Sequence, residues 1–155
     1  MLWRWAMVDN AVLKKLAYKG EDSALVIGAP DEFRATMRAF AGKVDEKPVG
    51  RYGFVLVFVR SGSDLTKLAP GAATSLEGDG RLWFGYPKKS SRRYQTDISR
   101  DSGWTPLGKL GFEPVSQVAI DDDWSALRFR RVERIRTLTR HRALSAAGKK
   151  RIGGR

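Results

Sequence analysis

The stretch "FEPVSQVAIDDDWSALRFRR", residues 112–131, reads as two strands, 112–120 and 124–131, separated only by Asp121, Asp122 and Asp123. Strands joined by so short a connection must pair antiparallel, because a parallel return needs a crossover of a dozen or more residues. Aspartates in succession are themselves a turn signal. Along the second strand, Trp124 and Arg128 lie four positions apart and so share a face on a regular strand, with Trp124 as core and Arg128 as rim.

Upstream of that hairpin, strands alternate with helices. Asn10 is placed to cap a helix reaching Ala17, with Val12, Leu13 and Leu16 on one face. "SALVIG", 23–28, is a short apolar run of the kind buried on both faces. Pro30, Asp31 and Glu32 then suit a helix start, and Phe33, Met37 and Phe40 continue it as a stripe. "KVDEKPVGRY" is a weak strand or loop, whereas "YGFVLVFVR", 52–60, is the strongest strand and takes a central place. A helix opens at Ser61 or Ser63 and is expected to be interrupted near Pro70. "GDG", 78–80, predicts a turn before a strand at 81–86, and 98–110 has helical character that Pro106 is expected to split or kink.

Alternating strands and helices build parallel sheets covered on both faces. With the final hairpin, the pattern predicts an α/β chain: a three-layer, Rossmann-like, mostly parallel sheet with a C-terminal antiparallel hairpin strand.

Composition narrows the chemistry. The chain has 155 residues, a size consistent with one domain, and 42% hydrophobic content suited to a packed core. Zero cysteines exclude disulfides, thiolate metal sites and thiol nucleophiles. His141, near the end of the chain, is the only histidine, so neither a Ser-His-Asp arrangement, a His-paired nucleophile nor a multi-histidine metal site is expected. The opening "MLWRWAMVDN" is too short and too interrupted by Arg4 for a secretory signal, and no apolar run spans a bilayer, so a cytoplasmic protein is expected.

Of the net charge of +12, +10 falls from Arg128 onward, where eleven Lys/Arg face the single acid Glu133. Val132, Ile135 and Leu138 recur among arginines, which predicts a basic amphipathic helix to about Ala147, ended by Gly148. Arg134, Arg136, Arg140, Arg142, Lys149 and Lys150 are its candidate nucleic-acid contacts through phosphates. The expected organisation is an N-terminal extension (1–9), an α/β domain (10–131) and a basic C-terminal extension (132–155).

"ALVIGAP" (24–30), "LWFGYPKKSSRRYQTDISRD" (82–101) and "VSQVAIDDDWSALRFR" (115–130) together resemble a small bacterial family of unknown function with a class I methyltransferase-like fold. The resemblance implies a Gly-rich turn after the first strand for S-adenosylmethionine and an acid after the second for its ribose. Gly28 and Ala29 stand at that turn and Asp45 or Glu46 at the acid. The turn holds one glycine instead of several, and Pro30 removes an amide donor. No cofactor is therefore expected, S-adenosylmethionine being the one the fold admits.

Ligands of such sheets bind beyond the carboxyl ends of the parallel strands. There the sequence places an anion-binding loop, Tyr86, Lys88, Lys89, Ser90, Ser91, Arg92 and Arg93, with Asp97 as a cap for the following helix. Asp121, Asp122, Asp123, Trp124 and Arg128 form a second carboxyl-edge candidate, read as a turn and not as a metal site. The favoured reading is a non-catalytic binding or interaction module using these loops. The alternatives are an atypical S-adenosylmethionine-dependent methyltransferase and a nucleic-acid-associated protein held by its basic tail. The expected partners are an anionic ligand or nucleic acid.

Overall fold

A computed structural model describes residues 10–135, 144–145 and 148–149. Six strands form one sheet in the order β2-β1-β3-β4-β6-β5. They are β1 (Ser23–Ile27), β2 (Lys43–Asp45), β3 (Tyr52–Phe58), β4 (Leu76–Pro87), β5 (Phe112–Ala119) and β6 (Trp124–Arg131). β2, β1, β3 and β4 are mutually parallel, and β6 runs antiparallel to both β4 and β5. Only β6 is thus reversed, as the short hairpin requires.

β3 shows why the sheet has three layers. Phe54, Leu56 and Phe58 enter one apolar cluster, while Val55, Val57 and Val59 enter another on the opposite face. The first face is covered by α1 (Ala11–Lys15), a 3₁₀ turn (Asp31–Phe33) and α2 (Arg34–Met37). The second is covered by α3 (Gly62–Ser75) and α4 (Thr105–Lys109). Asn10 Oδ1 accepts from Leu13 N at 3.0 Å and starts α1; Trp83 Nε1 then donates to Leu16 O at 2.8 Å, tying that helix to β4.

Several local expectations are corrected. Pro70 does not interrupt α3, which continues through it to Ser75 and passes straight into β4. Thr66 Oγ1 bonds back to Gly62 O and Thr74 Oγ1 to Pro70 O, while the burial of Leu65, Ala69, Ala72 and Ala73 holds the helix on the sheet across the proline. "GDG" is not a turn between helix and strand but an irregularity inside β4: Tyr52 pairs with Leu76 and Phe54 with Arg81. Gly78 takes φ +54° there, a left-handed conformation that glycine adopts without strain. Pro106 opens α4 instead of splitting a longer helix, and 98–102 forms a tight bridge between Ser99 and Ser102.

At the C-terminus, a 3₁₀ turn (Val132–Arg134) gives way to extended backbone at Ile135, so no single helix runs from Val132. Farther on, the buried Glu113 of β5 accepts from Leu144 N on both carboxylate oxygens, at 2.8 Å each, and also from Ser145 N. Ser145 Oγ accepts from Gly148 N at 2.9 Å. Among the described residues no helix is long and apolar enough to cross a membrane.

Candidate functional site at the carboxyl edge

From β1 the chain goes to β2 on one side and then to β3 on the other, so the order reverses between β1 and β3. In open α/β sheets the crevice beyond the carboxyl ends at such a switch point is where ligands bind. Gly28 sits there with φ +71°, and a Cβ on it would stand 3.1 Å from Phe58 O. Both the left-handed backbone and the close approach of β3 require glycine.

Of the two predicted ribose acids, Asp45 is the last residue of β2 and Glu46 follows it directly. Asp45 pairs with Leu25, three residues below Gly28 along β1, or about 10 Å at the rise of a strand. Its carboxylate accepts from Tyr52 Oη at 2.5 Å and pairs with Lys43 at 3.4 Å. The Tyr52 hydrogen bond holds Asp45 below the usual aspartate range. Glu46 is exposed and lies 3.7 Å from Arg34 of α2.

A carboxylate that the sequence pattern offered only as a helix-start residue is found at this edge. Glu32 Oε2 accepts from Tyr94 Oη at 2.6 Å and from Trp124 Nε1 at 2.9 Å, with Arg93 Nη1 3.7 Å away. Burial works against its charge, but these donors outweigh it and hold Glu32 below the usual glutamate range. The same hydrogen bond, followed by burial, pushes the Tyr94 phenol up. The Tyr94 ring lies 4.9 Å from the Trp124 ring, with the guanidinium groups of Arg60 and Arg93 over it at 4.9 and 5.5 Å. The loop after β4 is thereby fastened to Trp124 of β6, to Glu32 in the turn after β1 and to Arg60 just after β3. Asp97 fastens its far end, accepting at 2.8 Å from Gly62 N at the start of α3. It caps the preceding helix across space, not the following one.

The remaining candidates divide into fold-building and exposed groups. Tyr86 is buried 5.3 Å from the Trp104 ring on the opposite face, and burial pushes its phenol up, so it is core and not part of the loop's anion-facing set. Lys88 N donates to Asp123 O, and Ser91 Oγ donates to Asp123 Oδ1 at 2.8 Å while accepting from Arg93 N and Tyr94 N. Asp121 Oδ1 accepts from Asp123 N and Trp124 N, so these aspartates build the hairpin turn, with Asp122 exposed. Lys89, Ser90, Arg92 and Arg93 are exposed on the loop, and Lys88 is half-buried. Ala29 packs on the Phe33–Phe58 cluster. Trp124 is core, against Phe58 and Tyr94, and Arg128 is on the same sheet face toward its opposite edge. Arg134 lies in the terminal 3₁₀ turn and Lys149 is exposed, whereas Arg136, Arg140, Arg142 and Lys150 fall outside the described residues.

This topology has known counterparts. A protein from Sulfolobus solfataricus assigned as a type 11 methyltransferase matches 85% of this chain over 94% of its own, with TM-score 0.52 and 9% identity. The fold is methyltransferase-like. The N-methyltransferase NodS from Bradyrhizobium japonicum WM9 matches 83% of this chain over 96% of its own, with TM-score 0.48 and 15% identity. At such identities the likeness concerns the fold alone. No family model and no curated protein matches the chain.

Proposed function

We propose that this protein is a methyltransferase-like domain that works as a binding module at its carboxyl edge and does not transfer methyl groups. One observation carries the reading: Tyr94 and Trp124 both donate to Glu32, which fastens the chain's own loop to the turn that follows β1, beside the switch point. The Asp45 carboxylate, already engaged by Tyr52 and Lys43, and the amide missing at Pro30 point the same way. Gly28 is the feature that favours the alternative, an atypical S-adenosylmethionine-dependent methyltransferase, because its backbone keeps the form such a turn needs.

As a binding module, the edge presents Lys89, Arg92 and Arg93 around the Tyr94 plug, a set suited to a carboxylate or phosphate on a partner. We take residues 10–131 as the domain and 132–155 as an extension, docked at Leu144 and Ser145, whose arginines add electrostatic attraction to polyanions. The resemblance to a small bacterial family of unknown function fits this reading.

Calorimetric titration of the full chain with S-adenosylhomocysteine tests it. No saturable heat at several temperatures is expected. One-to-one binding near 1 μM, about −8 kcal/mol, would overturn the closed crevice and restore the enzyme reading.

A further inference from the structure

The other end of the sheet carries a charge arrangement that the carboxyl edge does not explain. β4 and β6 pair with Trp83 opposite Arg128 and Leu82 opposite Phe129. One step farther along this register, Arg81 faces Arg130, so Arg81, Arg128 and Arg130 project from the same sheet face. Arg81 and Arg128 are diagonal neighbours, about 7–8 Å apart along the backbone. Like charges set across from one another disfavour a sheet unless something neutralises them.

Two of the three have acids. Asp79, in the irregular part of β4, holds Arg130 in a bidentate pair, with Nε to Oδ1 at 2.9 Å and Nη2 to Oδ2 at 2.6 Å. Arg81 reaches Glu21 only at 3.7 Å. Arg128 has no acidic partner among the described residues. Burial, followed by the charges of Arg81 and Arg130, pulls its pKa down, and the nearby Asp79 carboxylate, already paired with Arg130, offsets this only in part. Moreover, the Nε atoms of both Arg81 and Arg128 are buried without a hydrogen-bond partner. An orphaned buried donor is rare and points to a missing water or ion. Two such donors, on adjacent guanidinium groups with too few acids, point to an anion. Ser116 of β5 pairs directly with Arg128 and is exposed, which places a hydroxyl on the same face.

We propose that Arg81 and Arg128 form an oxyanion site for a phosphate group at the amino edge of the sheet, independent of the carboxyl-edge loop. Planar guanidinium groups bind tetrahedral oxyanions through paired N–H donors, and two of them satisfy the charge and the free Nε–H groups together. The phosphate comes from a free phosphate compound or from a nucleic-acid backbone, and the probes separate these sources.

Pyrophosphate and a fluorescein-labelled single-stranded oligonucleotide are titrated into the full chain at fixed ionic strength, with arginine Nε–Hε resonances followed by NMR. Saturable shifts at Arg81 and Arg128 are expected. Arg128→Gln should weaken binding at least tenfold without lowering Tm, since it removes a half-buried charge that makes no direct ion pair among the described residues. Lys67→Gln, on exposed α3, should leave binding unchanged. Pyrophosphate binding assigns the site to small phosphate compounds, and oligonucleotide binding alone assigns it to a nucleic-acid backbone. Equal affinity in wild type and Arg128→Gln, no saturable binding by either probe, or unmoved Arg81 and Arg128 resonances would overturn the site. If Arg128→Gln does not fold, Arg81→Gln and the wild-type resonances decide the matter.

Discussion

Tyr94 and Glu32 are 62 positions apart, yet one hydrogen bond between them ties the loop after β4 to the turn after β1. Tyr94→Phe keeps the ring against Trp124 and removes only the donor, so urea unfolding should show a loss of about 1 kcal/mol. The proton linkage has a defined sign. Glu32 is held below its ordinary 4.5, so its contribution is full above pH 4.5 and is lost as pH falls through the folded-state value. Asp79, held down first by its hydrogen bond from Arg130, behaves likewise below its ordinary 3.8. Glu32→Gln should therefore flatten the upper part of the acid limb in a stability–pH series and leave the lower part. An unchanged limb would mean that Glu32 is not engaged in solution.

At the scale of elements, α3 contains its own weak point. Pro70 offers no N–H to the preceding turn, and proline inside a helix costs about 3 kcal/mol relative to alanine. Because Pro70 is exposed, Pro70→Ala should raise stability by roughly 1–3 kcal/mol in chemical denaturation, the lower end applying if proline's restriction of the unfolded chain offsets the gain. The central place of β3, the mostly parallel sheet and the antiparallel hairpin were legible in the sequence because they depend on local pattern: the run Phe54–Val59, the alternation of elements and the three-aspartate connection. Pro70 and the "GDG" segment misled because packing overrode propensity, with Ala69, Ala72 and Leu76 buried on either side of the expected break. The site was less legible. Asp97 caps a helix 35 positions before it, and Trp124 reaches Glu32 across 92 positions. No periodicity encodes such pairs. Gly28 was identifiable because a backbone constraint leaves a residue-type signature, whereas Glu32 looked like any acid at a helix start.

For the whole molecule, the two sheet edges and the C-terminal segment divide the work. Glu113 is fully buried, and its described partners are the amides of Leu144 and Ser145. Deleting 144–155 would leave that carboxylate uncompensated, at a cost of roughly 3 kcal/mol. Glu113→Ala should cost a similar amount, and the two changes together should cost much less than their sum in a double-mutant cycle. Strict additivity would mean that the segment is held by other contacts. The proposed closure of the methyltransferase-like crevice is tested most directly at Trp124, whose indole N–H donates to Glu32. In a ¹⁵N–¹H spectrum of the full chain titrated with S-adenosylhomocysteine, the Trp124 Nε1–H resonance should stay unshifted up to millimolar ligand. A saturable shift of that resonance would place the ligand at the switch point and contradict the closure by Tyr94.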